Sequence, residues 1–242
     1  MGPRKGPFSR TLLVIHLLLT LTTVFSDTSE GEKLVAFKRS LLKTEKLSNW
    51  DTSVPPCNGD KENWMGVICG KNGSVFGLQL ENMALSGTID IDILAELPGI
   101  RTLSFANNSF EGPMPDVQKI GLLRSIFLSN NNFSGVIRDD AFAGMGSMRK
   151  IELQNNKFTG RIPGSVREMK ILVDLRMQDN EFEGEIPDLE QKNLKVNFAN
   201  NRLYGPIPSR LRNQDPSSFA GTSPLFLLTI VLVVMLWYDN VC

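Results

Sequence analysis

Histidine is nearly absent from this chain of 242 residues: the single one, His16, lies in an N-terminal leader. Without it, the body of the protein cannot assemble Ser-His-Asp or Cys-His nucleophilic machinery. Cysteine is scarce too, with only Cys57, Cys69 and Cys242. Three cysteines and no further histidine are too few for a structural zinc site of the usual kind. No excess of either charge exists, since 26 basic residues face 26 acidic ones. A nucleic-acid surface would need a basic surplus, so nucleic acid is not expected as a partner. No Gly-rich phosphate loop and no kinase signature occurs, and nothing in the sequence calls for a cofactor or a metal. Two pairs of acids, Asp90/Asp92 and Asp139/Asp140, could in principle do acid–base work. Both fall in connecting segments, where solvated acids are ordinary, and no catalytic residue is assigned.

What is present is a repeat. The phrases SGTI, EGPM, SGVI, TGRI, EGEI and YGPI follow one another down the chain. Their glycines, Gly87, Gly112, Gly135, Gly160, Gly184 and Gly205, are spaced 25, 23, 25, 24 and 21 residues apart. A period in the twenties with apolar residues at fixed offsets marks a leucine-rich-repeat solenoid, an α/β repeat fold of about six turns. Alternation such as Leu103-Ser104-Phe105 makes a short strand with one buried face. Successive strands then stack in parallel. Where the chain turns away from each strand, backbone polar groups are left inside the coil and need partners. Asn108, Asn131, Asn156, Asn180 and Asn201 recur at that position and are expected to form a structural ladder. The first repeat has Met83 in its place.

The two ends differ from the middle. Arg4, Lys5 and Arg10 precede an apolar run from Leu12 to about Phe25, and Val24 and Ser26 are small enough for a cleavage site before Asp27. Residues 1–26 therefore read as a secretory signal peptide. Its removal leaves 23 basic against 26 acidic residues. In an oxidising compartment Cys57 and Cys69 are expected to pair. Residues 27–73 read as an N-terminal cap stapled by that disulfide. The cap opens on a helix at 29–42, where Ser29 and Glu32 form a capping-box pattern and Leu34, Phe37, Leu41 and Leu42 share a face. Trp50 and Trp64 complete it. The repeats occupy 74–208, a closing segment 209–221, and an apolar tail 222–242. That tail is at the lower limit for a spanning helix and also fits a GPI signal with a short spacer, so both readings stay open.

At this point the sequence resembles the plant-type leucine-rich repeat, with its LxGxIP signature, and SNWDTSVPPCNGDKENWMGVIC resembles the plant repeat cap. GLQLENMALSGTIDID, RTLSFANNSFEGPMPD and DPSSFAG are similar to segments of pollen receptor-like kinase ectodomains. The resemblance covers about residues 30–221. It implies an extracellular domain that recognises a secreted peptide or protein, with a co-receptor kinase as a further partner. It also implies delivery through the secretory pathway to the plasma membrane. After Gly221 this sequence departs from the family plan, reading TSPLFLLTIVLVVMLWYDNVC where a further cysteine, a span and a kinase-like domain would follow. The expectation is a kinase-less receptor-like protein held at the membrane by its tail. An inhibitor of a cell-wall hydrolase, or a receptor fragment without independent function, are the rival readings.

The partner surface is expected on the concave face. Outward strand positions there include Ser104, Ser125, Phe127, Lys150, Glu152, Asp174, Arg176, Gln178 and Lys195, with Phe127 as an apolar anchor. Three Asn-x-Ser sequons, at Asn72, Asn107 and Asn132, are glycosylation candidates in a secreted chain.

Overall fold

The computed structural model describes residues 29–221. The leader and the apolar tail from residue 222, on which the signal-peptide and membrane readings fall, lie outside the described residues. Among the described residues no helix is long and apolar enough to cross a membrane.

The cap begins with helix α1 (Glu30–Ser40). Its start follows from the sequence: the Ser29 hydroxyl accepts from the Glu32 N–H at 3.2 Å, and the Ser29 N–H donates to the Glu32 carboxylate at 2.7 Å. Leu34 and Phe37 turn into the core. Leu42 does not, contrary to the helical-face expectation. The helix ends at Ser40, Leu42 is 61% exposed, and its backbone pairs instead with Ser86. A hairpin of β1 (Cys57–Asn58) and β2 (Lys61–Glu62) follows, then β3 (Val67–Cys69). The Cys57–Cys69 disulfide ties the hairpin to β3. Trp50 and Trp64 stack at 5.7 Å and are both buried, closing the end of the core. Their indole N–H groups donate to the carbonyls of Met65 and Val54, so no polar atom is stranded.

Six turns follow, each contributing a pair of strands. These are β4 (Val75–Gln79) and β5 (Ser86–Gly87), then β6 (Thr102–Ser104) and β7 (Ser109–Gly112). Next come β8 (Ser125–Phe127) and β9 (Asn132–Val136), then β10 (Lys150–Glu152) and β11 (Lys157–Arg161). The last pairs are β12 (Asp174–Arg176) with β13 (Glu181–Glu185), and β14 (Lys195–Asn197) with β15 (Arg202–Tyr204). The first strand of each pair joins a parallel sheet in sequence order from β4 to β14, with β3 added antiparallel at the cap edge. The second strands form a second parallel sheet. Between the sheets lies one continuous core.

Two internal columns hold the turns in register. One is aromatic: Phe105, Phe110, Phe133, Phe158 and Phe182 follow each other with ring centroids 5.5–6.3 Å apart, and Phe37 of α1 joins at 6.1 Å. The other is the asparagine ladder, which forms as the spacing predicts. Asn131, Asn156, Asn180 and Asn201 each accept from the N–H of the phenylalanine one turn earlier, all at 3.0 Å. Each also donates to a carbonyl of that earlier turn, for Asn131 the Phe105 carbonyl at 3.0 Å. Asn108 is the first rung. Its oxygen accepts from the Leu85 N–H, as the later rungs do from phenylalanine, and also from the Met83 N–H. After each rung the chain doubles back at glycine. Gly160, at φ +76°, sits where a Cβ would come within 3.0 Å of Val136.

At the far end, a short 3-10 helix, Pro216–Phe219, brings Phe219 to 6.4 Å from Phe198, covering the last turn as the tryptophans cover the first.

Candidate functional site: the concave sheet

Parallel register sorts the outward side chains of the main sheet into rows that run along the solenoid. One row reads Gln79, Ser104, Phe127, Glu152, Arg176 and Asn197. The next reads Gly77, Thr102, Ser125, Lys150, Asp174 and Lys195. Adjacent strands are about 4.8 Å apart, so each row is a line of closely spaced side chains across an open surface.

The candidate residues do not share one environment. Lys150, Arg176 and Lys195 are exposed, while Ser125, Phe127, Glu152, Asp174 and Gln178 are half-buried. Ser104 departs from the expectation of an accessible position. It is only 4% exposed, and its hydroxyl donates to the Glu81 carboxylate of the preceding turn. Asp174 and Arg176 form an ion pair within one strand, Nε to Oδ1 at 3.1 Å. That contact holds the Arg176 guanidinium still further toward its charged form, through the hydrogen bond and the neighbouring negative charge. Glu152 accepts from the Gln154 amide at 3.2 Å. The Oε1 atoms of Gln154 and Gln178, at equivalent places on adjacent turns, are buried without a hydrogen-bond partner. Phe127 is the one aromatic side chain in its row.

Along one margin of this sheet runs a line that the sequence reading did not single out. Asn107, Asn130, Asn155, Asp179 and Asn200 each precede a ladder rung and have φ between 55° and 57°. Asparagine and aspartate tolerate that left-handed conformation better than other side chains. Their repetition one residue before the ladder was the available signal. The Asn155 amide donates to Asn130, and the Asn200 amide to Asp179, so the margin is itself cross-linked. The sequon asparagine Asn107 lies on this margin, Asn132 begins β9, and Asn72 lies in the loop before β4; all three are exposed.

The acid pairs have structural occupations. Asp90 caps the helix α2 (Ile91–Ala95), and Asp139 accepts from the Gly164 N–H at 2.6 Å. Among the described residues no group of three or more His, Cys, Asp or Glu side chains is arranged to hold a metal ion.

A stack of parallel strands, an asparagine ladder and a disulfide-stapled cap define a leucine-rich-repeat domain. A family pattern for the leucine rich repeat matches residues 121–182, and one for the leucine rich repeat N-terminal domain matches 27–70. Pollen receptor-like kinase 4 of Arabidopsis thaliana is 45% identical over 232 residues, covering 92% of this chain and 34% of the relative. Pollen receptor-like kinase 1 of the same plant is 46% identical over 215 residues, covering 88% of this chain and 32% of the relative. The crystal structure of a pollen receptor kinase 3 superposes with a TM-score of 0.72 at 40% identity, over 78% of this chain and 93% of that one. The Arabidopsis receptor kinase HAESA, solved with the peptide hormone IDA and the co-receptor SERK1, superposes at 0.68 with 27% identity, over 84% of this chain and 33% of HAESA. The chain belongs to the pollen receptor-like kinase family and corresponds to its leucine-rich-repeat region. It spans about a third of the length of the curated relatives it matches.

Proposed function

We propose that this chain is the extracellular recognition domain of a receptor-like protein, and that it binds a secreted peptide or protein along the concave sheet in the signalling of pollen. The observation that carries the reading is Phe127, an aromatic side chain left half-buried in an open row, beside a second row in which Lys150 and Lys195 have no ion pair among the described residues. Apolar anchors ringed by polar groups are where binding energy concentrates. A long shallow sheet suits an extended ligand better than a small substrate. HAESA, a structural relative, was solved in complex with a peptide hormone and a co-receptor, and a co-receptor kinase is part of the present proposal. So are glycans on Asn72, Asn107 and Asn132, which would limit approach from the sheet margin, and placement at the plasma membrane through the tail.

The test is capture of secreted peptides from pollen and pistil extracts by the full chain, beside a Phe127→Ala/Arg176→Ala variant. A peptide bound by the native chain and lost from the variant supports the reading. A peptide bound equally by both moves the site off the concave sheet. Capture of a wall hydrolase instead would favour an inhibitor.

A further inference from the structure

A groove of about 490 Å³ opens at the cap end of the main sheet, between the segment 62–68 and the turn that follows β4. Two methionines line it among polar neighbours. Met83 packs against the core, and Met65 stands 54% exposed. That exposure is not fraying. The Met65 carbonyl accepts from the Trp50 indole at 2.8 Å, and its N–H donates to the Asn49 side chain at 3.2 Å. Next to it, Gly66 adopts φ +72°, and a Cβ there would lie 2.6 Å from the Leu80 side chain and 2.8 Å from the Gln79 carbonyl. Glycine therefore lets the loop lie flat on the sheet, where the Gly66 carbonyl accepts from the Gln79 N–H at 2.7 Å. The result is a fixed loop that displays a methionine beside a trough.

Two carboxylates line the same trough, Glu62 from the end of β2 and Glu81 just past β4. Glu81 accepts a hydrogen bond from the buried Ser104 hydroxyl, which orients it. Neither glutamate has a cationic partner among the described residues. The groove thus sets adaptable thioether surface beside two carboxylates that have no ionic partner among the described residues. A purely apolar side chain would leave the carboxylates unused, an anion would be repelled, and a bare inorganic cation would leave the methionines uncovered. A lysine or arginine side chain uses both features, because its aliphatic stem covers apolar surface while its head keeps polar contacts. Methionine conforms readily to such a stem, and carboxylates accept the strongest hydrogen bonds from a guanidinium.

We propose that the Met65/Met83 groove binds a lysine or arginine side chain of a protein partner, with the stem on the two methionines and the cation between Glu62 and Glu81. The site lies at the cap end, away from Phe127 and Arg176, and it uses residues that the concave-strip proposal does not.

Methionine-methyl NMR on the full chain tests this. The probe is a blocked tripeptide Gly-Arg-Gly, titrated beside its citrulline and norleucine counterparts. The Met65 and Met83 methyl signals should move with the arginine probe, while Met145, Met148, Met169 and Met177 in the core stay fixed and report that the fold is intact. Citrulline keeps the shape and removes the charge, and it should bind several-fold more weakly. Glu62→Gln and Glu81→Gln should each weaken the arginine probe by roughly threefold, as partly exposed ion pairs do, and the binding should fall with added salt. Equal response to arginine and citrulline would overturn the proposal, as would unchanged binding in the double variant or no movement of either methyl. Preference for norleucine would make the groove a merely apolar site. Phe127→Ala should leave the titration untouched, so failure here and failure of the concave reading are told apart.

Discussion

The side-chain oxygen of Asn156 accepts a hydrogen bond from the backbone N–H of Phe133, 3.0 Å away and one turn earlier. Its amide nitrogen donates to the Leu128 carbonyl of that same earlier turn at 2.9 Å. One side chain therefore satisfies a donor and an acceptor that the aromatic stack itself makes unreachable by water. The aromatic column and the ladder are coupled: Phe133 stacks between Phe110 and Phe158, and its backbone is fixed by the next rung.

Replacing that rung should be costly. Asn156→Leu keeps the branched outline but leaves the Phe133 N–H unpaired and takes one of two amide donors, Asn131 being the other, from the Leu128 carbonyl, a loss of about 1–3 kcal/mol. Thermal or denaturant unfolding of the full chain should show it. An unchanged curve would mean that water or a neighbouring group takes over the Phe133 N–H.

The cap has a separate dependence. The Cys57–Cys69 bridge ties β1, which pairs only with β2, to β3 at the edge of the main sheet. Removing a native disulfide from a small secreted unit costs about 2–5 kcal/mol. Cys57→Ser should therefore be retained during secretion, or should melt early with loss of the Trp50–Trp64 stack, visible in tryptophan fluorescence. Normal secretion together with an unchanged fluorescence melt would show that the tryptophans and α1 suffice.

Asp215 gives a pH prediction at the other end. The Ser217 N–H, followed by its hydroxyl, holds the Asp215 carboxyl below the usual carboxylate value, and the group is exposed. A depressed folded pKa means that its contribution is complete above the ordinary carboxylate value of about 3.9 and is lost as pH falls through the lower folded value. The turn that seats Phe219 should loosen only in that acid range. The Ser217 amide chemical shift, followed by NMR from pH 7 downward, should titrate in the native chain and stay flat in Asp215→Ala. A titration that survives the substitution would assign the effect to another group.

How much of this was legible before the structure depends on whether the signal was periodic. The ladder, the strands and the glycine turns recur at fixed offsets, and each formed where the spacing placed it. The capping box of α1 is local and was equally readable. Ser104 was misjudged because alternation gives the direction of a side chain and not what covers it; Glu81, one turn earlier, closes over it. Leu42 was misjudged because a helical pattern was carried past the point where the chain pairs with Ser86. The groove at Met65 was invisible for a different reason. Glu62 and Glu81 are brought together only by the packing of the cap on the first turn, and no repeat marks a feature that occurs once.

The contrast between two phenylalanines six residues apart provides the sharpest test of the division between framework and surface. Phe133 is fully buried in the aromatic column. Phe127 sits on the opposite side of its strand's core positions, half-exposed between Ser104 and Glu152. Phe133→Ala should cost about 3–5 kcal/mol of stability, because it removes a stacked ring from a packed interior. Phe127→Ala should leave stability within about 0.5 kcal/mol, as surface substitutions do. If the concave row is the binding surface, the same substitution should cost a captured peptide about 2 kcal/mol of affinity, the range of an anchor residue. Unfolding and titration calorimetry on the two variants read both quantities. A Phe127→Ala chain that melts early would place that ring in the framework, and one that binds its peptide with native affinity would remove it from the recognition surface.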